Sequence, residues 1–116
     1  MAQYEELSID KGSDVTIRLE CINPNGTAKD LLNYSVAGKI KKTYNTSDSD
    51  ATSFSTSVLS PAADGVIELS LSNSQTSSLA AGRHVYDVEI TRQDSSGTNI
   101  IERIIEGIMT VKPAVT

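Results

Sequence analysis

His84 is the only histidine among the 116 residues, so any imidazole-activated nucleophile would have to be assembled around it. No Gly-x-Ser-x-Gly elbow supplies a serine, and His84 opens an alternating stretch, facing the opposite way to Val85. A structural place at the rim of a core is expected for it. The carboxylate pairs Glu5-Glu6 and Asp48/Asp50 lie in polar segments, where nothing would push their two pKa values apart as general acid and base require. Asp48-Ser49-Asp50 offers oxygen atoms to a hard cation, but calcium takes about six such ligands and the rest of a loop motif is missing. Cys21 stands alone, which excludes an internal disulfide or a cysteine zinc site, and its place in an apolar alternation makes it a small core residue. No catalytic, cofactor-binding or metal site is expected, and the chain reads as non-enzymatic.

The basic run Lys39, Lys41, Lys42 is followed by Tyr44, a combination that in larger numbers would suit nucleic acid. Ten Lys and Arg against fifteen Asp and Glu give a net charge of -5, which repels phosphate backbones and anionic lipid. With 4% aromatic residues the chain also lacks a stacking platform, so the run reads as a solvated strand face. Tyr4, Tyr34 and Tyr44 keep a carbohydrate platform open as a second reading. No run of about 18 apolar residues occurs, and no basic stretch followed by an apolar one opens the sequence. A chain made in the cytoplasm and left in solution, without nucleic-acid or membrane partners, is the expectation.

The elements that must carry these residues are strands. Val15, Ile17, Leu19 and Cys21 alternate with Thr16, Arg18 and Glu20, and Tyr86, Val88 and Ile90 alternate with Asp87, Glu89 and Thr91. Period two of this length means a strand with one wet face. Leu7 and Ile9 predict a short strand before the first of these; Val36, Gly38 and Ile40 predict another, and Ile67, Leu69 and Leu71 a further one facing the core. Asn23-Pro24-Asn25-Gly26, Ser60 to Gly65 and Asp94 to Thr98 are turns, and Asn45 to Ser57 is a polar loop leading to a modest strand that ends at Leu59. Ser72 to Ala81 can make one or two helical turns capped by Asn73 or Ser74, with Leu79 on the core. Asn99 to Ile105 and a segment through Gly107, Met109 and Val111 predict two closing strands, stopped at Pro113.

Seven to eight short antiparallel strands in about 110 residues predict an all-β immunoglobulin-like β-sandwich, residues 1–116 forming one domain. There is no tryptophan and no cysteine pair, so its core must rest on aliphatic side chains interdigitating between two sheets.

Several segments together carry a family likeness: Asp14 to Leu19, the Asn25-Gly26 turn, Asp30-Leu31-Leu32-Asn33-Tyr34, Asp64 to Ile67, Leu79 to Glu89, and Ile105 to Pro113. Across nearly the whole chain they resemble the small immunoglobulin-like virion proteins of tailed bacteriophages, including those of cyanophages, and more distantly the N-terminal domain of phage baseplate upper proteins. The most distinctive stretch is Leu79 to Asp87, where a short turn sets Leu79 on the core, Gly82 permits the reversal and Tyr86 buries its ring. The resemblance implies a structural or accessory protein made in the host cytoplasm. It would be carried in multiple copies on the virion, against other virion proteins of the capsid, neck, tail or baseplate. Contact is expected at the ends, Met1 to Glu6 and Pro113 to Thr116, at free sheet edges and in the loop Asn45 to Ser53; the candidate contact residues are Tyr4, Glu5, Glu6, Tyr44, Asp48, Asp50, Pro113 and Val115.

Overall fold

A computed structural model describes residues 3–115. The strands are β1 (Gln3–Tyr4), β2 (Leu7–Asp10), β3 (Val15–Glu20), β4 (Ser35–Lys41), β5 (Thr52–Ser53), β6 (Ser55–Val58), β7 (Val66–Leu71), β8 (Gly82–Gln93) and β9 (Asn99–Lys112), with one helix, α1 (Asn73–Ser78), between β7 and β8. They form two sheets. One has the order β1-β9-β8-β4-β5, with β2 also against β9; the other has the order β3-β7-β6. Strands β4, β8 and β9 thus face β3 and β7 across the core, which is the sheet membership of an immunoglobulin-type sandwich. The expected fold differs in one respect: β1 and β2 run parallel to β9 rather than antiparallel to a neighbour.

The core is the inward phase of each alternation. Ile67, Leu69 and Leu71 of β7 meet Tyr86, Val88 and Ile90 of β8 and Ile105, Met109 and Val111 of β9, with Ile9, Cys21, Leu31, Ile40 and Leu79 closing the ends. Phe54, the one phenylalanine, belongs to this core. It has room because β4 carries Gly38, whose missing Cβ would stand 2.9 Å from the Phe54 ring. Among the described residues every buried side-chain nitrogen or oxygen has a hydrogen-bond partner. That is what an aliphatic interior requires, since an unpaired buried polar group costs about 1–3 kcal/mol.

Several predicted boundaries shift. The helix is capped by Ser72, not Asn73 or Ser74: its hydroxyl accepts from Gln75 N–H while the Gln75 side chain accepts from Ser72 N–H, a reciprocal capping box. The polar loop is more ordered than its composition suggests, with a 3-10 turn over Asp48–Asp50 and β5 paired to β4 at Lys39 and Ile40. The two closing strands are one, since β9 pairs with β8 from Asn99 to Val111 with a single irregularity. A bulge leaves Ile104 unopposed, because Val88 pairs with Ile105 and Glu89 with Arg103. Gly107 does not interrupt the strand. It lets the N-terminal segment cross close by, for a Cβ there would stand 1.9 Å from the Glu5 carbonyl oxygen.

Candidate functional site: a tyrosine-flanked sheet face

The strand registers set five residues in one row across the outer face of the larger sheet: Tyr4, Glu106, Asp87, Lys39 and Ser53. Residues in register share a pleat face, so these side chains point away from the core that Ile105 and Val88 enter. The next outward row is Ile108, Val85 and Lys41; the one toward the hairpin is Arg103, Glu89 and Ala37. From these rows Lys39, Asp87, Glu106, Glu89 and Arg103, together with Tyr44 and Asp48, line a groove of about 490 Å³. Tyr4, at the β1 side, is 57% exposed, and Tyr44, in the turn after β4, is 76% exposed. Two aromatic posts therefore flank a floor of alternating charge.

That charge is internally paired. Arg103 reaches both Asp87 (Nε to Oδ2, 3.2 Å) and Glu106 (Nη1 to Oε2, 3.1 Å). Across the groove Lys41 Nζ stands 2.8 Å from Asp48 Oδ1 and Lys39 Nζ 3.9 Å from it. The hydrogen bond from Lys41 and the charge of both lysines hold the Asp48 carboxyl below the usual aspartate range. Glu106 and Asp87 in turn raise Arg103 above its ordinary value. Three cations, Lys39, Lys41 and Arg103, meet four carboxylates, Asp48, Asp87, Glu89 and Glu106. The net field of a face so nearly balanced is small, and what distinguishes it is the pattern of its charges.

The residues singled out from the sequence are placed as follows. Tyr44 and Asp48 line the groove and Tyr4 borders it through Glu106. Asp50 is exposed but turned to Ser47, whose Oγ donates to it at 3.1 Å. Glu5 accepts through its backbone: Tyr86 O–H donates to the Glu5 carbonyl at 2.9 Å. Burial, and secondarily the charge of Glu5, push the Tyr86 phenol up to about 12. Glu6 is exposed beside it. Pro113 and Val115 are exposed beyond the end of β9. They are not brought to the N-terminal segment, because Tyr4 is level with Glu106 and six further residues of strand, about 20 Å, separate it from Lys112. Met1, Ala2 and Thr116, which belong to the expected terminal contacts, lie outside the described residues.

The basic run is split. Lys39 and Lys41 serve the groove, while Lys42 donates to the Arg83 carbonyl at 3.2 Å. His84 is buried, and its Nε2–H donates to the Ala80 carbonyl at 2.7 Å, an assignment fixed because a carbonyl can only accept. Cys21 is buried as expected, and desolvation pushes its thiol up, away from the reactive thiolate. Among the described residues no three His, Cys, Asp or Glu side chains are set to hold a metal ion, and no helix is long and apolar enough to cross a membrane. Asp87, Glu89, Arg103 and Glu106 escaped the sequence reading as site residues. The outward phase of Asp87 and Glu89 follows from alternation, but Arg103 shares the parity of buried Ile105 and faces outward only through the bulge at Ile104. Nor does alternation say that β4 and β1 lie beside the β8–β9 hairpin.

No family model matches the sequence, and no curated protein matches it. Among solved structures it is similar to AggA, the major subunit of aggregative adherence fimbriae type I from Escherichia coli. The TM-score is 0.44 and the identity 8%, over 92% of this chain and 89% of that one. A likeness this slight leaves the fold assignment to the strand order itself.

Proposed function

We propose that this chain is a non-enzymatic structural module that joins neighbouring proteins in an assembly, and that the outer face of its larger sheet is the joining surface. The observation that carries the reading is the pair of exposed tyrosines flanking a floor of paired charges. Tyrosine and arginine are the side chains that most often anchor protein interfaces, and charges already held by one another meet a partner with little ordering cost. The setting we propose is the virion of a tailed bacteriophage, in contact with capsid, neck, tail or baseplate proteins. It is supported by the sequence resemblance through Asp14 to Leu19 and Leu79 to Glu89.

The test is rebinding to particles that lack the protein. Wild-type chain should saturate a fixed number of positions, and Tyr44→Ala should weaken rebinding by about tenfold, the loss of one modest anchor. Val115→Ser, outside the groove, should change nothing. A wild-type chain that does not rebind overturns the structural role.

One observation favours a second reading: the Tyr44 ring stands in solvent beside Lys41 and Asp48, as an aromatic platform with polar neighbours does in sugar sites. Saturable binding on a glycan array, lost in Tyr44→Ala, would establish this adhesive role in place of the first.

A further inference from the structure

The β8–β9 hairpin runs past the body of the sandwich. β4 ends its pairing with β8 at Ser35 against Thr91, and among the described residues β1 reaches along β9 only to Ile105. Among the described residues, Asn99 to Ile104 has β8 on one side and no strand on the other between those limits and the turn. Residues 99–103 are all exposed, with Ile100 at 39% and Ile101 at 60%. An edge of free N–H and C=O groups is a template for another strand, and sequences commonly blunt it with lysine or proline. Here it carries two adjacent isoleucines that bury little within the chain.

We propose that this edge pairs antiparallel with the same edge of a second copy, with Ile101 opposite the partner's Ile101 on a two-fold axis. Such an axis, normal to the sheet, keeps each pleat face on its own side, so only residues an even number apart stand opposite each other. Centring on Ile101 sets Ile100 against the partner's Glu102 and Asn99 against the partner's Arg103, with no like charges opposed. Arg92, which faces Ile100 on β8, then lies one strand from the partner's Glu102. Centring on Glu102 would oppose two carboxylates, and on Arg103 two guanidiniums, each destabilising. Centring on Ile100 would run the pairing into Gly97 of the turn. The partner's strand fills positions 99–103, and its turn arrives at Ile105, where the described part of β1 is paired. The added strand thus prolongs the column that β1 and β2 already form along β9.

The contact is small beside the roughly 1,200 Å² of a stable interface, so the dimer is a concentration-dependent one, of roughly micromolar to millimolar dissociation constant. It stands on the edge alone and holds whether or not the outer face binds a virion protein.

Residues opposite one another across an antiparallel pair have Cβ atoms about 4.5–5.5 Å apart, within reach of a disulfide after slight adjustment. In a Cys21→Ser background, Ile101→Cys should therefore form a covalent dimer under mild oxidation. Asn99→Cys, on the same ribbon and face but about 13 Å from its own copy in this register, should not. Sedimentation of the otherwise unmodified chain should show a monomer–dimer equilibrium that Ile101→Lys weakens at least tenfold. Equal crosslinking by the two cysteine variants overturns the register. A dimer that survives Ile101→Lys, or a chain monomeric to millimolar concentration, overturns the proposal, even if a strand of another protein binds the edge.

Discussion

Tyr86 lies opposite Gly107 in the β8–β9 register, and its hydroxyl donates to the Glu5 carbonyl on a segment 81 residues away. Tyr86→Phe should cost about 0.5–1.5 kcal/mol at neutral pH, read from denaturant unfolding, because the Glu5 carbonyl loses its donor. The pH dependence has a definite sign. The phenol is pushed up to about 12 in the folded chain from an ordinary value of 10.0, so its contribution is complete below pH 10 and is lost as the pH rises through 12. Over that window the unfolded chain ionises first, which removes about 2–3 kcal/mol from the wild type and nothing from the phenylalanine variant. The variant's deficit should shrink above pH 10 and then reverse; a constant difference to pH 12 would refute the assignment. The sequence announced the burial of Tyr86 and its need for a partner. It could not name Glu5, because a contact over such a separation exists only once the strands are ordered.

At the scale of elements, α1 is too short to hold itself and is tied to the turn between β2 and β3. Thr76, fully buried, donates to the Ser13 carbonyl (2.9 Å) and accepts from Gly12 N–H (3.0 Å), while Asp14 accepts from Asn73 N–H (2.7 Å) and Lys11 donates to the Leu79 carbonyl (3.0 Å). Thr76→Val keeps the shape but strands two backbone groups, and should destabilise by about 1–3 kcal/mol. Amide exchange at Gly12 should accelerate in the same variant; an unchanged rate would show that the link is not what holds the turn. The strands were readable from periodicity and the helical turn from its capping residues and Leu79, yet their ends were not. Ser72 reads as an ordinary polar residue until its reciprocal bond with Gln75 is seen, and Gly107 reads as an ordinary strand position when its role is close approach.

Over the whole molecule, the division into strands and the apolar core followed from alternation, since Ile67, Leu69, Leu71, Tyr86, Val88 and Ile90 are all buried as predicted. The groove did not. Alternation tells which side chains point outward along one strand, whereas the row Tyr4, Glu106, Asp87, Lys39 depends on the lateral order of β1, β9, β8 and β4, of which only the β8–β9 hairpin is local in sequence. The edge at Asn99 to Ile104 was hidden for the same reason, because it is seen only once β9 is known to lie outside β8.

The central position of β9 bears on how the chain comes to be folded at all. β9 lies between the strands β1 and β2 and the rest of its sheet, so β1 and β2 have no strand to pair with until β9 has been made. A chain ended after residue 98 should therefore show no cooperative unfolding transition by circular dichroism, although it keeps the smaller sheet's strands intact in sequence. During synthesis the larger sheet stands open until residues 99–112 have left the ribosome, and closure over so long a separation is slow. The same late strand that completes the sandwich is thus the step at which a nascent chain is most exposed to its neighbours.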